Sequence, residues 1–251
     1  MTNNDSPKIA VIVLSWNGKD LTLACLESLL ASHYSPLTVY LVDNASTDGS
    51  ADAVRAAYGG RIRMIENAKN LGFAGGNNIG IRQALDDGAD YVLLLNNDTT
   101  VAPDMISHMA RAARDNPRMG VFGPKIYYES PPDQIWFAGG EVLLARGTAR
   151  HIGIREKDSG QFDEAREVDY VSGCALMVRG TVIHDIGLLD ESYEMYFEDT
   201  DFCMRAKLAG AGCYYVPQGR MWHKISPSTG GQMSRRKIKR KLCSSWIFFR
   251  R

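Results

Sequence analysis

Apolar runs and amphipathic stretches alternate along the first hundred residues. Ile9–Leu14, Thr38–Asp43, Arg61–Glu66 and Tyr91–Leu95 read as strands: short, rich in aliphatic side chains and bounded by polar or turn residues. Between them, Leu21–Leu30, Ser50–Ala57 and Asn78–Asp86 carry apolar residues three and four apart, the period of helices lying on a sheet. This alternation predicts an α/β fold, Rossmann-like, with a mixed, mainly parallel sheet and helices on both faces. Ligands of such sheets collect at the carboxyl ends of the strands. Here those ends are polar: Ser15-Trp16-Asn17, Asp43-Asn44, Asn67 and Asn96-Asn97-Asp98.

After about residue 121 the rhythm loosens into short strands and turns around Pro124, Pro131-Pro132 and Gly139-Gly140, with a polar loop over 156–164. Val168–Val178 is expected to be one long apolar strand whose middle, Ser172-Gly173-Cys174, approaches a ligand or another backbone closely. A helix is expected from about Asp199 to Ala209. There is no internal repeat, and no linker is evident before residue 225.

A chain of 251 residues with 45% hydrophobic content can bury one substantial core. Its zero net charge hides an asymmetry. Arg235, Arg236, Lys237, Lys239, Arg240, Lys241, Arg250 and Arg251 face no acid after position 234, so residues 1–234 carry 21 cations against 29 acids, a net charge of −8. That polarity argues against nucleic acid as the substrate, because a groove for a polyanion needs cations within the body of the fold. The five cysteines are scattered singly, without zinc-site spacing, and read as reduced, mostly packed thiols. Ile9–Leu14 is too short for a signal sequence or a membrane span, which predicts a cytoplasmic location.

The densest chemistry lies between Asp190 and Arg205. Glu198, Asp199 and Asp201 fall at a helix start, where the macrodipole favours negative charge. Capping accounts for one acid. Three, with Asp190, Glu191 and Glu194 nearby, concentrate repulsion that a cation or a proton relieves. A carboxylate there can deprotonate a substrate hydroxyl. In Asn96-Asn97-Asp98, Asp98 is the best candidate ligand for Mg²⁺ or Mn²⁺, with a surface N-cap for the helix after Pro103 as the alternative. One carboxylate is meagre for a divalent ion, so a donor diphosphate must contribute oxygens. His223 is a second candidate ligand, conditional on the fold bringing it to Asp98; His33, His108, His151 and His184 receive no role.

Two further segments join strands to helices. In Val42-Asp43-Asn44-Ala45-Ser46-Thr47-Asp48-Gly49-Ser50, Asp48 or Thr47 suits an N-cap, and Asp43 suits hydrogen bonding to a base or ribose. Ordinary turn chemistry accounts for the same residues. Asn70 to Gly80 offers a glycine-rich approach to a helix start, where backbone N–H groups can near a phosphate or nucleoside. It has neither the G-K-[ST] ending of a Walker loop nor G-x-G-x-x-G spacing.

Val-Asp-Asn-Ala-Ser-Thr-Asp-Gly-Ser, Asn-x-Gly-Phe-Ala-Gly-Gly-Asn-Asn-x-Gly, Leu-Leu-Asn-Asn-Asp, Gly-Leu-Leu-Asp-Glu and Tyr-Phe-Glu-Asp-Thr-Asp-Phe-Cys-x-Arg, in this order and spacing, resemble the family 2 glycosyltransferases. The subgroup most similar is the bacterial rhamnosyltransferase-like one, and the likeness runs from about residue 9 to 230. It implies a GT-A fold in one domain over 1–230, with a nucleotide-binding half to about 120 and an acceptor and catalytic half beyond. It also implies a nucleoside diphosphate-sugar donor, with dTDP-rhamnose or a UDP-sugar favoured, a divalent cation, Mg²⁺ or Mn²⁺, and inversion at the anomeric carbon. The acceptor would be a glycan or a lipid-linked glycan in surface polysaccharide synthesis.

Carried over residue by residue, Asp199 would be the general base, with Glu198 and Asp201 in support. Ser15, Asn17, Asp43, Asn44, Asn70, Gly72, Gly76, Asn77, Asn96 and Asn97 would line the nucleotide pocket. Asp98 and His223 would bind the metal, His223 within a His-x-x-Ser-x-Ser-like stretch ending Ser226-Pro227-Ser228. Asn96 stands where the family's D-x-D site has its first acid, which leaves a neutral hydrogen bond there. That departure motivates one alternative, a nucleotide-sugar-binding protein without turnover. A nucleotidyltransferase is the other, although no basic glycine-rich phosphate loop stands near the N-terminus.

The tail over 231–251 is a separate feature. Its cations are followed by Trp246-Ile247-Phe248-Phe249, the composition of a membrane-surface helix, and a peripheral contact through residues 235–251 is expected. A solvated charged end is the alternative.

Overall fold

Strands Ile9–Ser15 (β1) and Tyr91–Asn96 (β4) are buried at almost every position instead of alternating. That is the signature of parallel strands covered on both faces. In the computed structural model, which describes residues 6–224 and 235–250, they lie side by side and parallel at the centre of a ten-stranded sheet. Leu37–Asp43 (β2) pairs parallel with β1, and Arg63–Glu66 (β3) pairs parallel with β2.

The connections are helices Lys19–Leu30 (α1), Ser50–Tyr58 (α2) and Gly72–Asp86 (α3). From β1 to β3 the chain steps one way across the sheet, then returns past β1 to β4. Right-handed crossovers therefore put α3 on the face opposite α1 and α2. Helix α3 lies close to the sheet. A Cβ at Gly76 would come within 2.5 Å of Leu14, and one at Gly80 within 2.6 Å of Ile12. The helix starts at Gly72, six residues before the expected Asn78, so most of the glycine-rich segment is helix.

Beyond β4 the short strand Thr99–Val101 (β5) and helix Met105–Asp115 (α4) lead into Met119–Tyr128 (β6), a ten-residue buried strand where short strands were expected. Pro124 is accommodated because its partner strand, Gly212–His223 (β12), shifts register between Val216 and Arg220, so a bulge absorbs the missing N–H. Ile135–Phe137 (β7) pairs with β6, and Gly140–Leu143 (β8) with Thr148–His151 (β9) forms a separate hairpin. The polar loop over 156–164 is tethered by Lys125, 1% exposed on β6, whose ammonium meets Asp158 at 2.9 Å and Asp163 at 2.5 Å.

The expected strand Val168–Val178 is instead two: Arg166–Val168 (β10), antiparallel to β12, and Ala175–Arg179 (β11), antiparallel to both β4 and β6. The turn at Ser172-Gly173-Cys174 separates them because each has its own sheet partner. Gly180–Ile186 (α5), Glu198–Leu208 (α6) and Arg235–Arg250 (α7) complete the described elements. No helix among the described residues is long and apolar enough to cross a membrane.

Candidate active site

The sheet order reverses between β1 and β4, and the crevice outside their carboxyl ends receives the polar residues. Asp98 follows β4 and precedes β5, which pairs antiparallel with the end of β12 in the register Thr99↔His223. The backbone N–H of Lys224 donates to the Asp98 carbonyl at 2.8 Å. This ladder brings two residues 125 apart in sequence together, with His223 Nε2 3.3 Å from Asp98 Oδ1.

The contact lacks hydrogen-bond alignment, and both Asp98 Oδ1 and His223 Nδ1 are buried without a hydrogen-bond partner. Burial disfavours the imidazolium of His223, but the Cys174 sulfur and the Asp98 carboxylate beside it outweigh burial and raise its pKa well above the usual range. A metal ion bound there would take the place of that proton. Among the described residues no group of three or more His, Cys, Asp or Glu is arranged to hold a metal. Two adjacent O and N donors with unfilled valences fit a divalent ion whose remaining ligands come from a substrate.

The turn before β11 links this pair to the acidic helix. The Asn96 N–H donates to the Cys174 carbonyl at 3.0 Å, and one residue earlier the Gly173 N–H donates to Asp199 Oδ2 at 2.8 Å. A Cβ at Gly173 would meet Phe73 at 3.1 Å and Asp199 at 3.3 Å, so only glycine fits easily between them. Asp199 Oδ1 accepts from the Thr200 N–H at 2.7 Å and the Thr200 hydroxyl at 3.2 Å. Burial pushes the Asp199 carboxyl above the ordinary range, and these donors only partly offset it.

Its neighbour Glu198 is buried, with Oε2 unpartnered, and burial together with the Asp199 charge lifts it to about 8. Asp201 has a different environment: its carboxylate accepts from Tyr193 at 3.2 Å and Arg205 at 2.8 Å, while Arg205 also binds the carbonyls of Ile186 and Leu188. Asp201 thereby ties α6 to the chain that enters the acidic loop.

At the end of β2, Asp43 is 4% exposed; Oδ2 accepts from the Ser46 N–H at 2.9 Å and Oδ1 has no partner. An orphaned acceptor at a strand end invites a ligand donor. Asn44 differs, since its side-chain amide donates to Asn70 and Gly72 and its oxygen accepts from Asn67 and Leu71. Asn44 and Asn70 thus build the loop that opens α3.

Ser15 and Thr22 share a hydrogen bond of 2.9 Å, and the Asn97 amide donates to both, fastening the end of β4 to α1. Asn17, at φ 54°, accepts from the Thr47 N–H, and its own N–H donates to Ser46. Asn77 donates back to the Phe73 carbonyl within α3, and Gly76 gives the helix its close approach to Leu14. Neither Asp48 nor Thr47 is the N-cap expected from sequence. Gly49 occupies that position, and Asp48 accepts from the N–H groups of Gly18, Lys19 and Ser50, thereby bracing the starts of both α1 and α2. Slight burial works against ionisation, but these donors and the Ser50 hydroxyl hold Asp48 down at about 2.

Residues 10–187 match the family described as Glycosyl transferase family 2, which is most of the chain. The chain belongs to that family. It is 30% identical over 224 residues to an N-acetylglucosaminyl-diphospho-decaprenol L-rhamnosyltransferase of Mycobacterium tuberculosis, covering 82% of this chain and 72% of the relative. Its fold is similar to that of GalNAc-T7 in a crystal structure with UDP, GalNAc and Mn²⁺, at TM-score 0.71 and 13% identity, covering 89% of this chain and 45% of that one. The mannosyltransferase PcManGT of Pyrobaculum calidifontis, in complex with GDP-Man and Mn²⁺, aligns at TM-score 0.66 and 17% identity over 89% of this chain and 58% of that one. This glycosyltransferase therefore has the GT-A fold, and it spans less than two thirds of these two solved chains.

Two residues of this family 2 glycosyltransferase went unassigned in the sequence. Asn78 is 1% exposed on α3; its amide donates to the Leu189 carbonyl and to Glu191 at 2.9 Å each, and its oxygen accepts from the Leu189 N–H. It fixes the Gly-Leu-Leu-Asp-Glu segment, and a buried amide inside an apolar helix face was the available signal. His151, on β9, lies edge-on to Trp136 at 4.5 Å, and Trp136 lies edge-on to His223 at 4.7 Å. Burial lowers His151 to about 4, so it is a neutral part of the wall behind His223. No local spacing links 151, 136 and 223. The Ser226-Pro227-Ser228 stretch lies outside the described residues.

Proposed function

We propose that this chain is a metal-dependent, inverting glycosyltransferase that moves a sugar from a nucleoside diphosphate-sugar, dTDP-rhamnose or a UDP-sugar, to a hydroxyl of a glycan or lipid-linked acceptor in surface polysaccharide synthesis. The observation that carries this reading is the linkage of an unsatisfied Asp98–His223 pair, through the Gly173-Cys174 turn, to the pKa-raised carboxylate of Asp199. The rhamnosyltransferase relative supports the sugar, and the two Mn²⁺-containing neighbours support the ion.

Asp98 and His223 would hold a divalent ion that, when bound, neutralises charge developing on the departing diphosphate. Asp43 would accept a hydrogen bond from the base or ribose through its free oxygen, on a loop braced by Asn44, Asn70 and Asp48. An ionised carboxylate offers about four acceptor sites, and three donors already engage Asp199, which leaves one for an acceptor hydroxyl.

As that hydroxyl oxygen attacks the anomeric carbon from the face opposite the phosphate, a new C–O bond forms. The bond from the anomeric carbon to the phosphate oxygen breaks and its electron pair leaves with the nucleoside diphosphate. The hydroxyl proton ends on Asp199. One displacement inverts the anomeric configuration. The test is product analysis with dTDP-rhamnose and UDP-sugars as donors. Free nucleoside diphosphate and an inverted glycoside support the reading, whereas pyrophosphate release would point to nucleotidyl transfer.

The tail over 235–251 would make a peripheral contact with an anionic membrane, at which a lipid-linked acceptor is presented. Co-sedimentation with vesicles, with and without these residues, tests it, and equal sedimentation would remove the idea.

A further inference from the structure

Helix α7 does not project freely. Arg240 meets Glu194 at 2.5 Å, the Ser244 hydroxyl donates to the Met195 carbonyl at 2.8 Å, and the Phe197 ring packs on Phe248 at 5.3 Å and Phe249 at 5.8 Å. Arg240, Ser244 and Phe248 are spaced by four, so a single face of the helix grips a single segment, Glu194–Phe197.

That segment is the strained entry to the catalytic helix. Tyr196 at φ 71° and Phe197 at φ 70° are consecutive aromatic residues in the left-handed region. Side chains rarely adopt it, and bulky pairs persist there only when surrounding contacts hold them. Phe197 is also the N-cap of α6, next to Glu198 and Asp199. The clamp on Phe197 thus bears on the geometry of the base.

Over most of its length the opposite face of α7 faces solvent, with Phe249 at the C-terminal end turned in to Phe197. Ile238, Leu242 and Trp246, again spaced by four, are 43%, 65% and 63% exposed. At 100° per residue they form one apolar stripe, with Lys239 and Arg250 on one flank and Lys241 on the other. Arg250 also covers the Trp246 ring at 4.6 Å. Apolar residues rimmed by cations, with no acid after position 234, complement an anionic lipid surface: the stripe enters the interface and the cations meet the headgroups.

We infer that α7 couples the two faces: docking of the Ile238–Leu242–Trp246 stripe on an anionic bilayer tightens the helix against Glu194–Phe197 and sets the entry to α6, so that the base is organised at the membrane. This rests on the membrane-contact reading of residues 235–251 and adds a positioning role to it.

Hydrogen exchange tests the coupling without any sugar donor. The full chain is mixed with vesicles of phosphatidylcholine alone or with added phosphatidylglycerol, and the amides of residues 194–201 are followed. Anionic vesicles should bind the protein and slow these amides several-fold; phosphatidylcholine alone should do neither. Leu242→Glu with Trp246→Glu should abolish vesicle binding and the slowing while leaving vesicle-free exchange unchanged. Phe248→Ala should retain vesicle binding but lose the slowing.

Binding without slowing would overturn the coupling and leave the membrane reading intact. No binding, or equal binding to both vesicle types, would overturn both. A vesicle-free dimer dispersed by the Leu242 and Trp246 substitutions would reassign the stripe to self-association and likewise overturn the inference.

Discussion

Two adjacent carboxyls on α6 are both displaced upward by burial, yet their surroundings assign them different work. Asp199 is held by three donors at the end of a turn that also reaches the Asp98–His223 side. Asp199→Asn keeps the shape and removes the proposed proton acceptor. Turnover should fall by about 10²–10⁴-fold while nucleotide binding and melting temperature stay close to wild type. The acidic limb of the kcat profile should lie above the ordinary aspartate range, with activity lost as pH falls through the raised pKa. A limb at an exposed carboxylate's position would contradict the burial argument.

Glu198 carries the opposite message for stability. Its pKa rises from 4.5 to about 8 on folding, so the folded state holds a proton that the unfolded chain has released. Its contribution is fully present below pH 4.5 and is lost as pH rises toward 8. Glu198→Gln should therefore flatten the decline in melting temperature between those values. A decline identical to wild type would show that Glu198 ionises normally.

At the scale of elements, legibility followed locality. β1, β2 and β4 announced themselves because strands buried on both faces are continuous apolar runs, and α1 and α2 because their apolar periods are local. β12 went unseen. Pro217 and Gly219 interrupt its pattern, and its existence depends on pairing with β6 and β5, far away in sequence. The Asp98–His223 contact is a product of that pairing, so each residue was legible as a candidate and their meeting was not. Val168–Val178 misled for the reverse reason: one apolar run serves two strands with different partners.

The glycine-rich segment 70–80 reads as a ligand approach, and at Gly76 and Gly80 the missing side chains also let α3 settle on β1. Gly80→Ala would put a methyl 2.6 Å from Ile12 and 3.0 Å from Val42, an overpacking cost of about 1–3 kcal/mol. The helix-propensity gain of about 1 kcal/mol offsets part of it. Net destabilisation in urea unfolding is expected, and a stabilised variant would show that the helix shifts freely on the sheet.

Across the whole molecule, an acidic body is joined to a basic tail. Residues 1–234 carry a net charge of −8, yet their substrates would be anionic diphosphates, a mismatch that a bound cation between Asp98, His223 and the donor would resolve. The motif order made the family legible before any fold was known, because five short patterns in sequence are far more specific than any one of them. Donor choice was not legible, since it depends on pocket shape.

Asp98 and His223 are proposed to form the metal-dependent diphosphate site. Calorimetric titration of UDP, dTDP, GDP and CDP, with Mn²⁺ or with chelator, on wild type, Asp98→Ala and His223→Ala tests it directly. One diphosphate should bind wild type in Mn²⁺, at least tenfold more weakly in chelator, and both variants should bind it as weakly as chelated wild type. Binding that is indifferent to the ion, or unchanged in both variants, would contradict the claim.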